Sequence, residues 1–166
     1  MDEEIQAIRQ LSNFIPHYNQ DRSYRAYRKT KRSLRTKEDL GRKFLGLAKF
    51  CLVLSEFREA RKYFRKAAKN GYGADAWFQY GNHFNMLRQL GAEVVQIHEA
   101  TTFEEALVGY TKMQRYDPCW SHFSLGQFFE LQDNINKAIE HYLKVRTFPE
   151  RKRFYTLAGR RLEKLI

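Results

Sequence analysis

The feature that most constrains this chain is that it repeats itself. Phe44, Leu47, Ala48, Cys51, Phe57, Ala60, Phe64 and Ala67 have counterparts 78 residues further on: His122, Leu125, Gly126, Phe129, Ile135, Ala138, Tyr142 and Val145. Seven of the eight positions stay small or apolar, and the remaining one places a histidine on the same face. A middle copy comes in two halves. Trp77, Tyr80, Gly81 and Phe84 follow the first copy at an offset of 33, and Phe103, Ala106, Tyr110 and Met113 follow it at an offset of 46. The difference of 13 residues is an insertion between Phe84 and Phe103. A fixed repeat of this kind predicts stacked supersecondary units, because one unit alone has nothing on which to bury its apolar face.

The apolar spacing within each copy is three or four residues, which is the period of a helix face. Only three prolines and nine glycines interrupt 166 residues. Each copy therefore reads as a helix, a short turn and a second helix. Ser55-Glu56 and Gln132-Asp133-Asn134 make the turns inside the outer pairs, while Asn70-Gly71-Tyr72-Gly73 and Asp117-Pro118 separate the pairs. Ala48, Gly81 and Gly126 on the first helices, and Ala60, Ala106 and Ala138 on the second, sit where two axes approach to about 8–10 Å only if the contact residues are small. Gly91 is placed to end one helix of the split pair, and Thr102 with Glu105 to open the next as a capping box.

The expected fold is all-α: an α-solenoid of antiparallel helix pairs, three repeats flanked by further helices. Residues 1–40 hold N-terminal helices, with the stripe Ile5, Ile8, Leu11 and Ile15 ended by Pro16, and a second helix starting near Asp21. Residues 41–148 hold the three pairs, with the insertion at 91–102. Residues 149–166 form a C-terminal capping helix with the stripe Phe154, Leu157, Ala158, Leu162 and Leu165. The insertion carries Val94, Val95 and Ile97, which either extend a helix, fold back over the groove or meet another protein.

Leu125-Gly126, Phe129, Ala138 and Tyr142 resemble the motif of the tetratricopeptide repeat family, although Ala48 stands where that motif has glycine. Ala67-Ala68-Lys69-Asn70-Gly71, followed by Ala76 and Tyr80-Gly81, is similar to the related Sel-like subgroup. The resemblance implies a protein-binding groove on the first helix of each pair. Its positions fall on Arg42, Leu45, Lys49 and Leu52, on Phe78, Asn82 and Asn85, and on Trp120, Phe123, Gln127 and Glu130. Lys49 and Asn82 are the only fragments of the carboxylate clamp that some relatives build there.

Charge adds a second candidate. The net charge of +11 is distributed as +10 over residues 1–74, −5 over 75–143 and +6 over 144–166. Ten cations face two anions between Arg22 and Lys43, among them Arg22, Arg25, Arg28, Lys29, Lys31, Arg32 and Arg35, with Tyr24 and Tyr27 interleaved. Dense cations suit phosphates, and aromatic faces suit unpaired bases. The same residues also suit a solvated helix with its tyrosines packed inward.

Catalytic constellations are not apparent. The five histidines are scattered, with no His-x-x-x-His or Cys-x-x-Cys spacing for a metal, and no glycine-rich phosphate loop or nucleophile elbow occurs. Cys51 and Cys119 each lie in an apolar helical pattern, so no disulfide framework is expected. The acidic start Met1-Asp2-Glu3-Glu4 does not read as a signal or transit segment, and the longest apolar run, Phe50 to Leu54, is too short to cross a bilayer. The expectation is a soluble intracellular, cytoplasmic or nuclear, scaffold without cofactor or membrane contact, binding another protein or peptide. The alternative is a ribonucleoprotein component whose basic ends meet RNA or another polyanion.

Overall fold

A computed structural model describes residues 37–90 and 99–166, and the regular structure among them is entirely helical. The chain divides into two compact units, Met1–Tyr72 and Gly73–Ile166. The helices expected before residue 37 and the stretch 91–98 of the insertion lie outside the described residues.

In the first unit, α1 (Lys37–Val53) packs on α2 (Phe57–Ala67), and a wide turn follows at Ala68–Tyr72. Leu45, Leu47, Ala48, Cys51 and Leu52 of α1 are buried, as are Ala60, Tyr63, Phe64 and Ala67 of α2. Full burial of a side chain of Leu or Phe size contributes about 1.5–3 kcal/mol, so these two stripes are the driving force for pairing. Ser55, at φ 60°, ends the first helix in the left-handed region. The Glu56 N–H then reaches back to the Cys51 carbonyl at 2.8 Å, satisfying an acceptor that the helix end leaves open. The exit turn depends on Gly71 at φ 101°, and the Asn70 side chain donates to the Lys66 carbonyl at 2.7 Å.

In the second unit the helices are α3 (Gly73–Leu90), α4 (Glu99–Lys112), α5 (Pro118–Leu131), α6 (Ile135–Val145) and α7 (Lys152–Leu165). The helix α3 packs on α4, and α5 packs on α6. Helix α5 also meets α3 and α4, while α7 lies against α6 and α5. The boundary between the middle and last pairs is set as the sequence predicts. Pro118 opens α5, and the Asp117 carboxylate accepts the Trp120 N–H at 2.9 Å. The start of α4 differs from expectation. Residues 99–101 are already helical ahead of Thr102, so this residue is buried inside α4 instead of capping it, and Glu105 accepts the Tyr80 hydroxyl.

The repeat extends to burial and to single hydrogen bonds. Leu47, Ala48, Cys51, Ala60, Phe64 and Ala67 are buried, and so are Leu125, Gly126, Phe129, Ala138, Tyr142 and Val145. Asp133 stands 78 residues after Ser55 and shares its left-handed backbone, at φ 57°. The Asn134 N–H reaches the Phe129 carbonyl at 2.9 Å, the counterpart of the bond from Glu56 to Cys51. The middle pair uses the same small positions and one more. A Cβ on Gly109 would stand 2.4 Å from the Gly81 nitrogen and 2.9 Å from the Trp77 carbonyl oxygen, so the two backbones touch there.

These geometries fix the effect of three substitutions. Gly109→Ala is expected to destabilise the protein by about 1–3 kcal/mol, because backbone rather than a flexible side chain has to move. Ser55→Gly and Asp133→Gly are each expected to stabilise it by roughly 0.5–1 kcal/mol, by relieving a left-handed backbone. Denaturant unfolding of the four proteins measures all three.

Candidate functional site

The candidate groove residues separate into exposed, shared and internal positions. Lys49, Asn82 and Gln127 occupy the same place in the three copies, and all three are exposed. Arg42 is exposed too, with its Nε 3.5 Å from the Tyr72 hydroxyl. Phe78 and Trp120 are half-buried and lie against each other at 4.8 Å between ring centroids, where α3 meets α5. Leu45, Leu52 and Phe123, which the groove pattern includes, are buried and belong to the core instead.

Asn85 and Glu130 have internal roles. Asn85 is 8% exposed, its side chain lies beside the Tyr110 hydroxyl, and its Oδ1 has no hydrogen-bond partner among the described residues. Burial pushes the Tyr110 hydroxyl up to about 12, so it stays protonated. The Glu130 carboxylate accepts the Tyr142 hydroxyl at 2.7 Å and pairs with Arg161 at 3.1 Å, tying α5 to both α6 and α7. Burial, followed by the bond to Glu130, raises the Tyr142 hydroxyl above the ordinary tyrosine range.

One further repeated position presents itself. Val53, Met86 and Leu131, each four residues beyond the Lys49, Asn82 and Gln127 series, are 53%, 49% and 60% exposed. Within the second unit, α3 thus carries Asn82 and Met86 outward and α5 carries Gln127 and Leu131 outward. Arg88 of α3 donates to the Gln132 side chain just past α5, so the two C-terminal ends are neighbours. The offset of 33 and 78 identifies this apolar series in the sequence, but an apolar residue beside a core stripe reads as more core.

The cations of the C-terminal region divide by role. Arg151 bonds Asp117 at 2.8 Å, Arg161 bonds Glu130, and the Arg146 guanidinium lies 3.5 Å over the Tyr155 ring. These three fasten α7. Lys152, Arg153, Arg160 and Lys164 are exposed and form no ion pair among the described residues. The N-terminal cations Arg22, Arg25, Arg28, Lys29, Lys31, Arg32 and Arg35 lie outside the described residues.

Groups suited to catalysis or metal binding are few. Cys51 and Cys119 are free and buried, and burial, with Glu59 and Glu56 adding to it, pushes the Cys51 thiol up to about 12. A thiol so far from ionisation is a poor nucleophile. Among the described residues no three His, Cys, Asp or Glu side chains converge, and no helix is long and apolar enough to cross a membrane. Two histidines do meet. His122 on α5 and His141 on α6 bring their Nδ1 atoms to 3.1 Å, and Phe129 stacks on His141 at 5.5 Å with the planes 7° apart. Burial, then His122 and Lys144, hold His141 down at about 4, and burial lowers His122 as well.

The histidine pair gives stability a pH dependence of definite sign. Unfolded histidine takes up a proton near 6.5, whereas folded His141 does so only at about 4. Acid therefore favours the unfolded chain across that window, and the stability present above 6.5 is lost as pH falls toward 4. His141→Phe is expected to flatten the fall of melting temperature between these values, which thermal melts across the pH series measure.

No protein-family model, curated protein or solved structure matches this chain.

Proposed function

We propose that the helix pairs stack as an α-solenoid of the tetratricopeptide type, and that the chain is a non-catalytic scaffold holding another polypeptide along its first helices. The observation that carries this reading is the ladder repeated on α3 and α5. Asn82 and Gln127 put an amide at one position, and Met86 and Leu131 put an exposed apolar group four residues on. Amides offer both a donor and an acceptor to a peptide backbone, and side chains such as Met adapt to varied apolar partners. Phe78 and Trp120 add an aromatic junction between the same two helices. Large side chains held open to water at a repeated position are what an interface leaves uncovered in the free protein. The acidic balance of residues 75–143 favours a polypeptide of basic or neutral character over a polyanion at this face.

A second reading has its own observation. Four exposed cations of α7, Lys152, Arg153, Arg160 and Lys164, which form no ion pair among the described residues, favour a polyanion such as RNA at the C-terminal end.

A nuclease-treated affinity capture comparing the native chain with Met86→Asp/Leu131→Asp separates the two. Both substituted side chains are exposed, so the helical circular dichroism is expected to stay unchanged. The scaffold reading expects partners that survive nuclease and are lost in the double variant. Capture that depends on nucleic acid and weakens log-linearly with salt, regardless of the double variant, is the result of the second reading.

A further inference from the structure

We propose that His122 and His141 form a binding site for a borderline divalent transition ion such as Zn2+, held between α5 and α6 by the two Nδ1 atoms. The separation fits. Two nitrogens, each about 2.0–2.1 Å from one ion, stand about 2.9 Å apart at a right angle and about 3.3–3.4 Å apart at the tetrahedral angle. The observed 3.1 Å lies between these limits. The rings are tilted by 32° with centroids 5.3 Å apart, and both are half-buried, within reach of an ion arriving from solvent. Phe129 stacks on the His141 ring with the planes 7° apart and so holds its orientation.

The proton balance is simple. One ring now donates its Nδ1 proton to the other, and on binding the ion that proton moves to the donor's own Nε2. Both rings stay neutral ligands and no net proton is released. Lys144, which with Lys137 repels a positive charge at His141, is itself bound to Glu140 at 2.6 Å, and this offsets its repulsion. As the two imidazoles are the only protein ligands that converge there among the described residues, water completes the coordination. Hard ions with oxygen preference, such as Mg2+, gain nothing from such a pair.

The test uses the full chain, stripped with chelator and desalted, melted with ZnCl2 or MgCl2 and then titrated with Cu2+ under electron paramagnetic resonance. The expected result is a melting temperature raised by several degrees with Zn2+ and unchanged with Mg2+, and a Cu2+ spectrum split by two nitrogens. His122→Phe and His141→Phe should each keep the chelated protein's helicity and lose the Zn2+ rise. A native protein indifferent to Zn2+, a Cu2+ spectrum without nitrogen coupling, or either variant retaining the full rise overturns the site. If a variant fails to fold, the native spectrum alone still decides.

Discussion

Everything in this molecule depends on how closely the two helices of a pair approach. Wherever α3 faces α4, or α5 faces α6, one helix offers a glycine to the other. Gly81 meets Ala106 and Tyr110, Gly109 meets the Gly81 backbone, and Gly126 meets the Tyr142 ring. In α1 and α2 the corresponding positions are the fully buried Ala48 and Ala60. Small residues at the crossing let the larger side chains, Phe64, Phe84, Tyr80 and Tyr142, bury themselves fully on either side. The contact is short-range and steep, so a single methyl group is felt, and the helix faces are committed to the pair before any outer surface is defined.

That commitment explains why the outer surface is legible as a residue. Once Leu47, Cys51 and their counterparts turn inward, the positions of Lys49, Asn82 and Gln127 turn outward, and so do those of Val53, Met86 and Leu131. The same geometry sorts the C-terminal cations. Arg146, Arg151 and Arg161 are consumed in fastening α7, which leaves its remaining charges to solvent or a partner.

The offset of 78 made the core positions readable from the sequence, and turn residues marked Ser55-Glu56 and the break at Asp117-Pro118, because each is set by local periodicity or turn chemistry. What escaped reading is where the copies differ. Gly109 occupies the place held by Tyr63 and His141 in the other pairs, so comparing copies masks it, yet a Cβ there would stand 2.4 Å from the backbone of the facing helix. Asn85 and Glu130 were placed on the groove by spacing, and their engagement with Tyr110, Tyr142 and Arg161 arises only from neighbours distant in sequence. Thr102 lies inside α4 instead of at its cap, because residues 99–101 are already helical ahead of it.

The central claim is that one packing unit, closed by one kind of small-residue crossing and one left-handed turn, is used at both ends of residues 41–148. Residue-resolved amide hydrogen exchange under native conditions tests it most directly. Equivalent amides, such as those of Cys51 and Phe129 or Phe64 and Tyr142, should be the slowest in their own pairs, with fast exchange at Ser55 and Asp133 alike. Strong protection in one copy with near-free exchange at the matching core positions of the other would contradict it.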